Sequence, residues 1–455
     1  MKGDFSRLNL FDSLKQYTRV MQQQGRVQLD ADWNEQVDIL LHYLRALAAD
    51  LIGPFGGPAG KEYGFQITNF VAAKDKAPAN LDIGAGRYYV DGLLCESHPA
   101  DGKPVSYRGQ PYADDLPETP FLVYLDVWER HVTYLQDGSL REVALGGADT
   151  TTRAQVTWRV RATHQGTDGK PINPDLTKEG VWDIWPDWVK SWKSTGGLKA
   201  QAKLGGDDTD PCTVSPEASY RGTENQLYRV EIQSWDGVDK PPAFKWSREN
   251  GCVAFAIASL EGDVVTVASL GRDDASGLGE GDWVEIVDDD LERAGLPGPL
   301  RQVNAIDAAA KTVTLAAVDD QWKPKTPEYD NEKGEAVKKH ALLRRWDHQA
   351  SSQANANGAA LAVFPDAKAP GWLKLEKGIQ IQFQPGTYRP GDYWLIPART
   401  ATGDVEWPQE AGGPKAMPPH GVEHHYAPLA LIEAAQTVNL RWSFALTITK
   451  GTPPS

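Results

Sequence analysis

The chain lacks the features that define several large classes of protein. No run of five or more Lys or Arg residues occurs among its 455 residues, and the formal net charge is −15. Nucleic-acid binders normally carry a basic patch or stripe, so DNA and RNA are poor candidates for a partner. No run of 18 apolar residues is present either, so the sequence predicts no membrane insertion.

Cysteine is scarce. Cys95, Cys212 and Cys252 lie far apart. An odd number at such spacing is not a disulfide framework, and no CxxC pair indicates zinc. The first residues also lack the apolar segment of a secretion signal. We therefore expect cytoplasmic synthesis without a signal peptide.

Catalytic signatures are missing as well. The sequence contains no GxSxG nucleophile motif and no glycine-rich phosphate or dinucleotide fingerprint. Asp126 and Glu129 adjoin an apolar strand, but residues three apart on a strand face opposite sides, so this pair is a weak candidate for glycoside hydrolysis. The sequence therefore predicts no catalytic residues, no cofactor and no enzymatic activity.

One segment near the end concentrates metal-capable side chains, namely His420, Glu423, His424 and His425. Imidazoles four apart can share Zn²⁺ on a helix, but two prolines and a glycine within residues 418–421 oppose a helix there. We favour histidines that only make hydrogen bonds. A metal site at His420, His424 and His425 is the alternative.

The N-terminal segment carries the clearest pattern. Residues 1–31 are polar and predict an extended arm. A helix is then predicted with Asp32 as N-cap and Glu35 three residues later, ending at Gly53. Its apolar residues recur at helical spacing and form one stripe, which we expect to be half buried on the chain's own β core: Val37, Leu40, Leu41, Leu44, Leu47, Ala48 and Leu51.

A second aromatic pattern lies within residues 165–215, a Gly- and Pro-rich stretch that we interpret as an insertion. Four tryptophans there would form a single stripe on a helix, provided that Pro186 sits in the first turn: Trp182, Trp185, Trp188 and Trp192. The stripe either packs on the chain's own β core or forms an exposed aromatic interface for a partner or a glycan.

Most of the remaining chain alternates in the manner of β-strands. We predict a mainly β, multi-domain fold with an N-terminal arm and amphipathic helix, β-sandwich-like modules and a small β-barrel insertion. The predicted divisions are an arm plus helix (1–58), a β domain in two parts (59–164 and 216–262), the Trp-rich insertion (165–215), the barrel (263–320), a linker (321–345) and a C-terminal β region (346–455).

Six segments spread over nearly the whole chain resemble a poorly characterised bacterial family encoded with phage-tail-like contractile injection systems. They are MKGDFSR (1–7), QGRVQLDADWNEQ (24–36), ENQLYRVEI (224–232), FKWSREN (244–250), GDYWLIPAR (391–399) and PHGVEHHYAPL (419–429). The resemblance implies a structural or accessory part of a tail-like particle, such as a baseplate, fibre or cap component.

This resemblance and the N-terminal pattern together predict a structural or adaptor subunit that acts by protein–protein docking. We expect its partners to be other particle subunits and further copies of itself, and release by cell lysis is the expected route outwards. The predicted docking residues are Phe5, Arg7, Arg26, Leu29, Asp32 and Trp33. The alternative is a glycan-binding or glycan-cleaving β protein that uses its tryptophans.

Overall fold

The computed structural model of the protein describes residues 1–8, 11–99, 102–166, 169–173, 176–203, 220–237, 240–271, 273, 276–317, 339–348, 358–365, 371–434 and 436–445. Over these residues the chain is mainly β, as the sequence predicts. The helices are α1 (Asp30–Ile52), α2 (Lys178–Ser191) and α3 (Asp289–Ala294).

The strands are β1 (Phe55–Pro58), β2 (Ile67–Val71), β3 (Asn80–Ile83), β4 (Gly86–Val90), β5 (Leu93–Ser97), β6 (Val105–Ser106), β7 (Phe121–Val132), β8 (Arg141–Glu142), β9 (Ala148–Asp149), β10 (Arg153–Thr163), β11 (Gly197–Ala202), β12 (Gln226–Ser234), β13 (Ala243–Ser247), β14 (Ala254–Glu261), β15 (Val264–Val267), β16 (Trp283–Val287), β17 (Leu300–Asp307), β18 (Thr312–Leu315), β19 (Leu342–Trp346), β20 (Ala360–Leu361), β21 (Leu373–Lys374), β22 (Ile379–Gln384), β23 (Tyr393–Arg399), β24 (Asp404–Val405), β25 (Gln409–Glu410), β26 (Gly413–Pro414), β27 (His425–Ile432), β28 (Thr437–Asn439) and β29 (Ser443–Phe444).

The chain divides into two compact units, and each is assembled from three separate stretches. The first unit comprises Met1–Gln36, Arg130–Gln155 and Ser194–Glu423. The second comprises Val37–Glu129, Val156–Lys193 and His424–Ser455. These divisions differ from the predicted linear succession of domains, because strands distant in sequence pair within one sheet.

The first unit contains a closed barrel with the strand order β14-β15-β18-β17-β16-β19. The barrel is larger than the predicted 263–320, since β14 precedes that range and β19 follows it. Pairing of Ala254–Ala256 with Leu342–Arg344 closes the barrel. Strand β19 lies at the end of the predicted linker 321–345, so this part of the linker prediction is wrong. Residues 321–338 of the linker lie outside the described residues.

Two further sheets of the first unit share one apolar core in the manner of a sandwich. One has the order β20-β13-β12-β23-β24 and the other the order β11-β22-β21. Side chains such as Val230, Trp394 and Phe383 meet between them. Strand β11 pairs with β22 over its whole length, so this piece of the predicted insertion 165–215 belongs to the core. Residues 204–215 of that range lie outside the described residues.

The second unit is built on the long strand β7, which is buried in a sheet of order β10-β7-β27-β28. The strands β4 and β5 form a hairpin, with Val90 opposite Leu93. The two turn residues between them, Asp91 and Gly92, both have positive φ. This is the two-residue turn in which an Asp-Gly pair is strongly preferred.

Candidate docking surface

Helix α1 begins two residues before the predicted N-cap and is tied to the arm. It runs Asp30–Ile52, so Asp32 lies in the first turn and the N-cap prediction for it is wrong. The Asp30 carboxylate accepts hydrogen bonds from the backbone nitrogen and the hydroxyl of Ser6. The side-chain oxygen of Gln36 accepts another from the backbone nitrogen of Val20, at 2.9 Å. These bonds fix two points of the arm against the start of α1.

One face of α1 packs against other residues of the same chain. Ala31 and Ile39 are buried on this face, with 3% and 0% exposure. Arg45 forms an ion pair with Glu129 at 2.9 Å. The turn residue Gly92 lies so close that a Cβ there would be 2.3 Å from the backbone oxygen of Arg45, which explains the glycine at this position.

The opposite face of α1 exposes large apolar side chains. We call it the α1 outer face, and it consists of Trp33, Val37, Leu40, Leu44, Leu47 and Leu51. Trp33 and Leu51 are each 73% exposed and Leu44 is 62% exposed. The stripe that the sequence predicts to be half buried also contains Leu41 and Ala48, and only these two are half-buried. Its other members are 42–73% exposed, because the helix buries its Ala31 and Ile39 side instead.

The six predicted docking residues fall into two groups. Four of them line one cleft of the first unit, about 1310 Å³ in volume: Phe5, Arg7, Leu29 and Asp32. The other two are outside it, since Arg26 lies in an exposed part of the arm and Trp33 belongs to the α1 outer face. The predicted docking set therefore combines residues that are engaged within the first unit with exposed ones.

Phe5 and Arg7 are anchoring residues. Phe5 packs on the cluster formed by Leu227, Tyr393 and Leu395 of the first unit. Arg7 forms an ion pair with Glu406. Both side chains thus make contacts within the first unit, so less of their surface is available to contact a partner.

The start of the arm also forms part of the interior of the first unit. The Arg229 guanidinium donates to the backbone oxygen of Met1 at 3.2 Å. The side-chain nitrogen of the buried Asn250 donates to the backbone oxygen of Gly3 at 2.9 Å. A truncation that removes these residues would therefore disturb the fold as well as any docking surface.

A buried carboxylate completes this anchor. Glu231 contacts Arg229 Nε at 2.7 Å, Lys2 Nζ at 3.2 Å and Lys245 Nζ at 3.3 Å. Burial by itself would raise the pKa of Glu231, but these three cations together lower the pKa well below its usual value. The carboxylate thus stays charged and holds Lys2 in place.

The tryptophan stripe packs on the core of the second unit. Trp185 and Trp188 are buried, and Trp182 and Trp192 pack partly buried against the same core. Trp192 stacks on Tyr124 with ring centroids 4.3 Å apart. The structure does not place the four tryptophans in an open groove. Pro186 lies inside α2, so the prediction that it sits in the first turn of the helix is wrong.

The three candidate metal histidines each make a separate hydrogen bond. His420 Nδ1 accepts from the backbone nitrogen of Leu395 at 3.0 Å. His424 Nδ1 lies 2.6 Å from Asp126, and His425 Nδ1 lies 2.9 Å from Asp91. No group of three His, Cys, Asp or Glu side chains that could hold a metal ion occurs in the described part of the chain.

The carboxylates of Asp126 and Glu129 have different partners. Asp126 is fully buried and also contacts Arg161 Nε at 2.8 Å, whereas Glu129 pairs with Arg45 of α1. This is the divergence that their spacing on a strand predicts. Each carboxylate therefore serves to fix a neighbouring element of the second unit.

Of the α1 outer face, Trp33 is the only member among the six predicted docking residues. Its Val37 and its leucines belong to the apolar stripe that the sequence predicts, together with Leu41 and Ala48, but the period of a helix does not say whether its stripe faces inwards. The relevant signal in the sequence is the composition of the opposite side of the helix, where Ala31, Ala46 and Ala49 are small and Ile39 is the one large apolar residue before the last turn. Among the described residues, no helix combines the length and apolar content needed to cross a membrane.

Comparison with known proteins gives one assignment. The profile of a family of unknown function, DUF6519, matches residues 1–175 and 189–450. No curated protein and no solved structure matches the chain. Because the family profile covers almost the whole length, the chain belongs to the DUF6519 family.

Proposed function

We propose that this protein is a structural or adaptor subunit of a phage-tail-like contractile injection particle, such as a baseplate, fibre or cap component, and not an enzyme. The observation that carries the proposal is the exposed α1 outer face. Its six apolar side chains, with Tyr43 beside them, leave on the order of 700 Å² of apolar surface open, more than the ~300–600 Å² of the largest patch on a typical monomer. A surface of this kind is typical of a protein interface.

The charge around α1 favours a protein partner over an anionic one. The only basic Lys or Arg of α1 is Arg45, and it is paired with Glu129. With a net charge of −15, the chain repels nucleic acids and anionic lipid surfaces. The contractile-particle context rests on the sequence resemblance described above.

A glycan-binding role has less support. It requires tryptophans that stack on sugars from an open surface, whereas Trp185 and Trp188 are 7% and 1% exposed. Because these tryptophans are buried in the second unit, the α1 outer face exposes more aromatic and aliphatic surface than the tryptophan stripe of α2 does.

The test uses point variants, because residues 1–3 are built into the first unit. In the variant Leu40→Glu/Leu47→Glu, two exposed residues of the α1 outer face become charged while the helix propensity is kept. The matched control is Val143→Glu/Leu145→Glu, which charges two apolar residues that are 85% and 67% exposed outside α1. Particles are isolated through a tag on another subunit, imaged by electron microscopy and analysed for this chain.

The proposal predicts that the α1 variant is lost from purified particles, or that particles fail to assemble, since two charges would be buried in an interface. The control variant is expected to be retained like the wild type. Equal retention of both variants in intact particles would refute docking through α1.

A further inference from the structure

The spacing along the α1 outer face is that of a coiled-coil seam. Its members follow one another at intervals of four, three, four, three and four residues: Trp33, Val37, Leu40, Leu44, Leu47 and Leu51. This is the heptad pattern with apolar a and d positions, a mean period of 3.5 residues. Val37, Leu44 and Leu51 take position a, and Trp33, Leu40 and Leu47 take position d.

The heptad frame also explains the opposite face. Positions b and c point away from an a/d seam, and they hold the buried Ala31 and Ile39 as well as Arg45 with its ion pair to Glu129. The helix therefore uses one side for its own chain and leaves the seam exposed, from 42% at Val37 to 73% at Trp33 and Leu51. A helix that merely covered its own core would place its leucines on the buried side.

The residues that flank the seam indicate which kind of partner it binds. Positions e and g hold Asn34, Gln36, Leu41, Tyr43, Ala48 and Asp50. Only Asp50 is charged, so few like charges would meet along a seam between identical helices, and no pattern of e and g charges selects a different partner. Leu41, Tyr43 and Ala48 also widen the apolar stripe beyond a strict two-helix seam.

We infer that α1 associates with α1 of further copies of this chain in a parallel coiled coil, with three helices favoured over two by the wide stripe. About 700 Å² of apolar surface per copy approaches the ~800 Å² per partner of a standard stable interface. A three-fold axis along the bundle would relate three α1 helices in the same direction, and closed rotational symmetry is the common arrangement of identical subunits. The inference deepens the proposed function and rests on the same surface.

The first experiment measures the mass of the purified full-length chain by light scattering at several concentrations. The wild type and the control Val143→Glu/Leu145→Glu are expected at two or more times the monomer mass of 49.9 kDa. Leu40→Glu/Leu47→Glu is expected at the monomer mass, with an unchanged circular dichroism spectrum to show that it is folded. A monomeric wild type, or a folded α1 variant that keeps the oligomer mass, would overturn the inference.

A second experiment tests the parallel register. Leu51→Cys, in a chain with Cys212→Ser and Cys252→Ser, is expected to form an intermolecular disulfide on mild oxidation, because a parallel seam brings the copies of Leu51 together and an antiparallel seam would place Leu51 opposite Trp33. Val143→Cys in the same background is not expected to cross-link. Cross-linking of both variants or of neither would contradict a parallel seam.

The two proposals can fail separately. A chain that self-associates through α1 but never enters particles would refute the proposed function and leave the coiled coil standing. A chain that is monomeric in solution yet needs α1 to enter particles would refute the coiled coil and leave the docking role standing.

Discussion

At the scale of single residues, Asp126 shows how the second unit uses a buried charge. Its carboxylate lies between Arg161 Nε at 2.8 Å and His424 Nδ1 at 2.6 Å. A carboxylate that is removed from water needs such partners, and the loss of one member of a buried pair leaves the other uncompensated. The arrangement joins β7 to both neighbouring strands of its sheet, β10 and the start of β27.

We predict that Asp126→Asn lowers the free energy of unfolding by roughly 3 kcal/mol, the lower end for breaking a buried ion pair. The matched control is Asp91→Asn, which alters a half-exposed carboxylate beside His425 and should cost about 1 kcal/mol or less. Chemical denaturation of the two variants and the wild type measures both effects. If both variants lost a similar amount of unfolding free energy, the buried ion pairs of Asp126 would stabilise the protein no more than the half-exposed pair of Asp91, contrary to the prediction.

A second residue-scale prediction concerns His420 and pH. Burial lowers the pKa of His420 to about 4, and its Nδ1 accepts the Leu395 amide, a bond that a protonated ring cannot accept. The unfolded chain therefore binds the proton more readily, and stability is lost as pH falls from about 6.5 towards 4. Once the pH is below both pKa values, the lowering of the His420 pKa has reduced the free energy of unfolding by about 3 kcal/mol in total.

The variant His420→Asn keeps an acceptor for the Leu395 amide but does not titrate. We expect its melting temperature to fall less than that of the wild type between pH 6.5 and pH 4.5. Because His348 also has its pKa lowered to about 4 by burial, both proteins retain some pH dependence, and the difference between them isolates His420. Parallel pH profiles would contradict the prediction.

At the scale of elements, α2 is held by its tryptophan face. Pro186 inside the helix removes a backbone hydrogen bond and costs about 3 kcal/mol. The helix persists because Trp185 and Trp188 are buried in the core of the second unit, and Trp188 Nε1 donates to the backbone oxygen of Gln165 at 3.0 Å. Tertiary packing therefore decides the structure of this segment.

We predict that Trp188→Ala destabilises the protein by about 3–5 kcal/mol, the usual cost of emptying a large buried aromatic site. Trp33→Ala makes the same chemical change on the α1 outer face and should alter the stability of the monomer by about 0.5 kcal/mol or less. Thermal unfolding at low concentration, where copies do not associate, compares the two. A large loss for Trp33→Ala would mean that α1 is packed in the monomer.

Local patterns in the sequence were enough to predict some elements and not others. The small barrel is predicted, although its bounds of 263–320 are too narrow, because the signals of its strands lie within a few residues. The Asp91-Gly92 turn is a local signal of the same kind. Strands β11 and β19 were missed because Lys199, Gln201, Arg344 and Arg345 make them look like polar loops. Arg344 and Arg345 are buried all the same, which becomes intelligible only once their partners in the fold are known.

At the scale of the whole molecule, the division into units could not be predicted. Each unit takes three stretches of chain, so β7 pairs with β27 across about three hundred residues, and no local signal marks such pairing. The orientation of α1 is a similar case, because its stripe was visible in the sequence but its exposure was not. The docking surface proposed here therefore depends on the fold as much as on the motif.

The central claim is that protein covers the α1 outer face in the assembled particle. The most direct test is an electron cryo-microscopy map of an intact particle that contains this chain. The account predicts density of another polypeptide, a copy of α1 or a neighbouring subunit, packed against Leu40, Leu44 and Leu47. A map in which the subunit is held elsewhere while these leucines face solvent would contradict it.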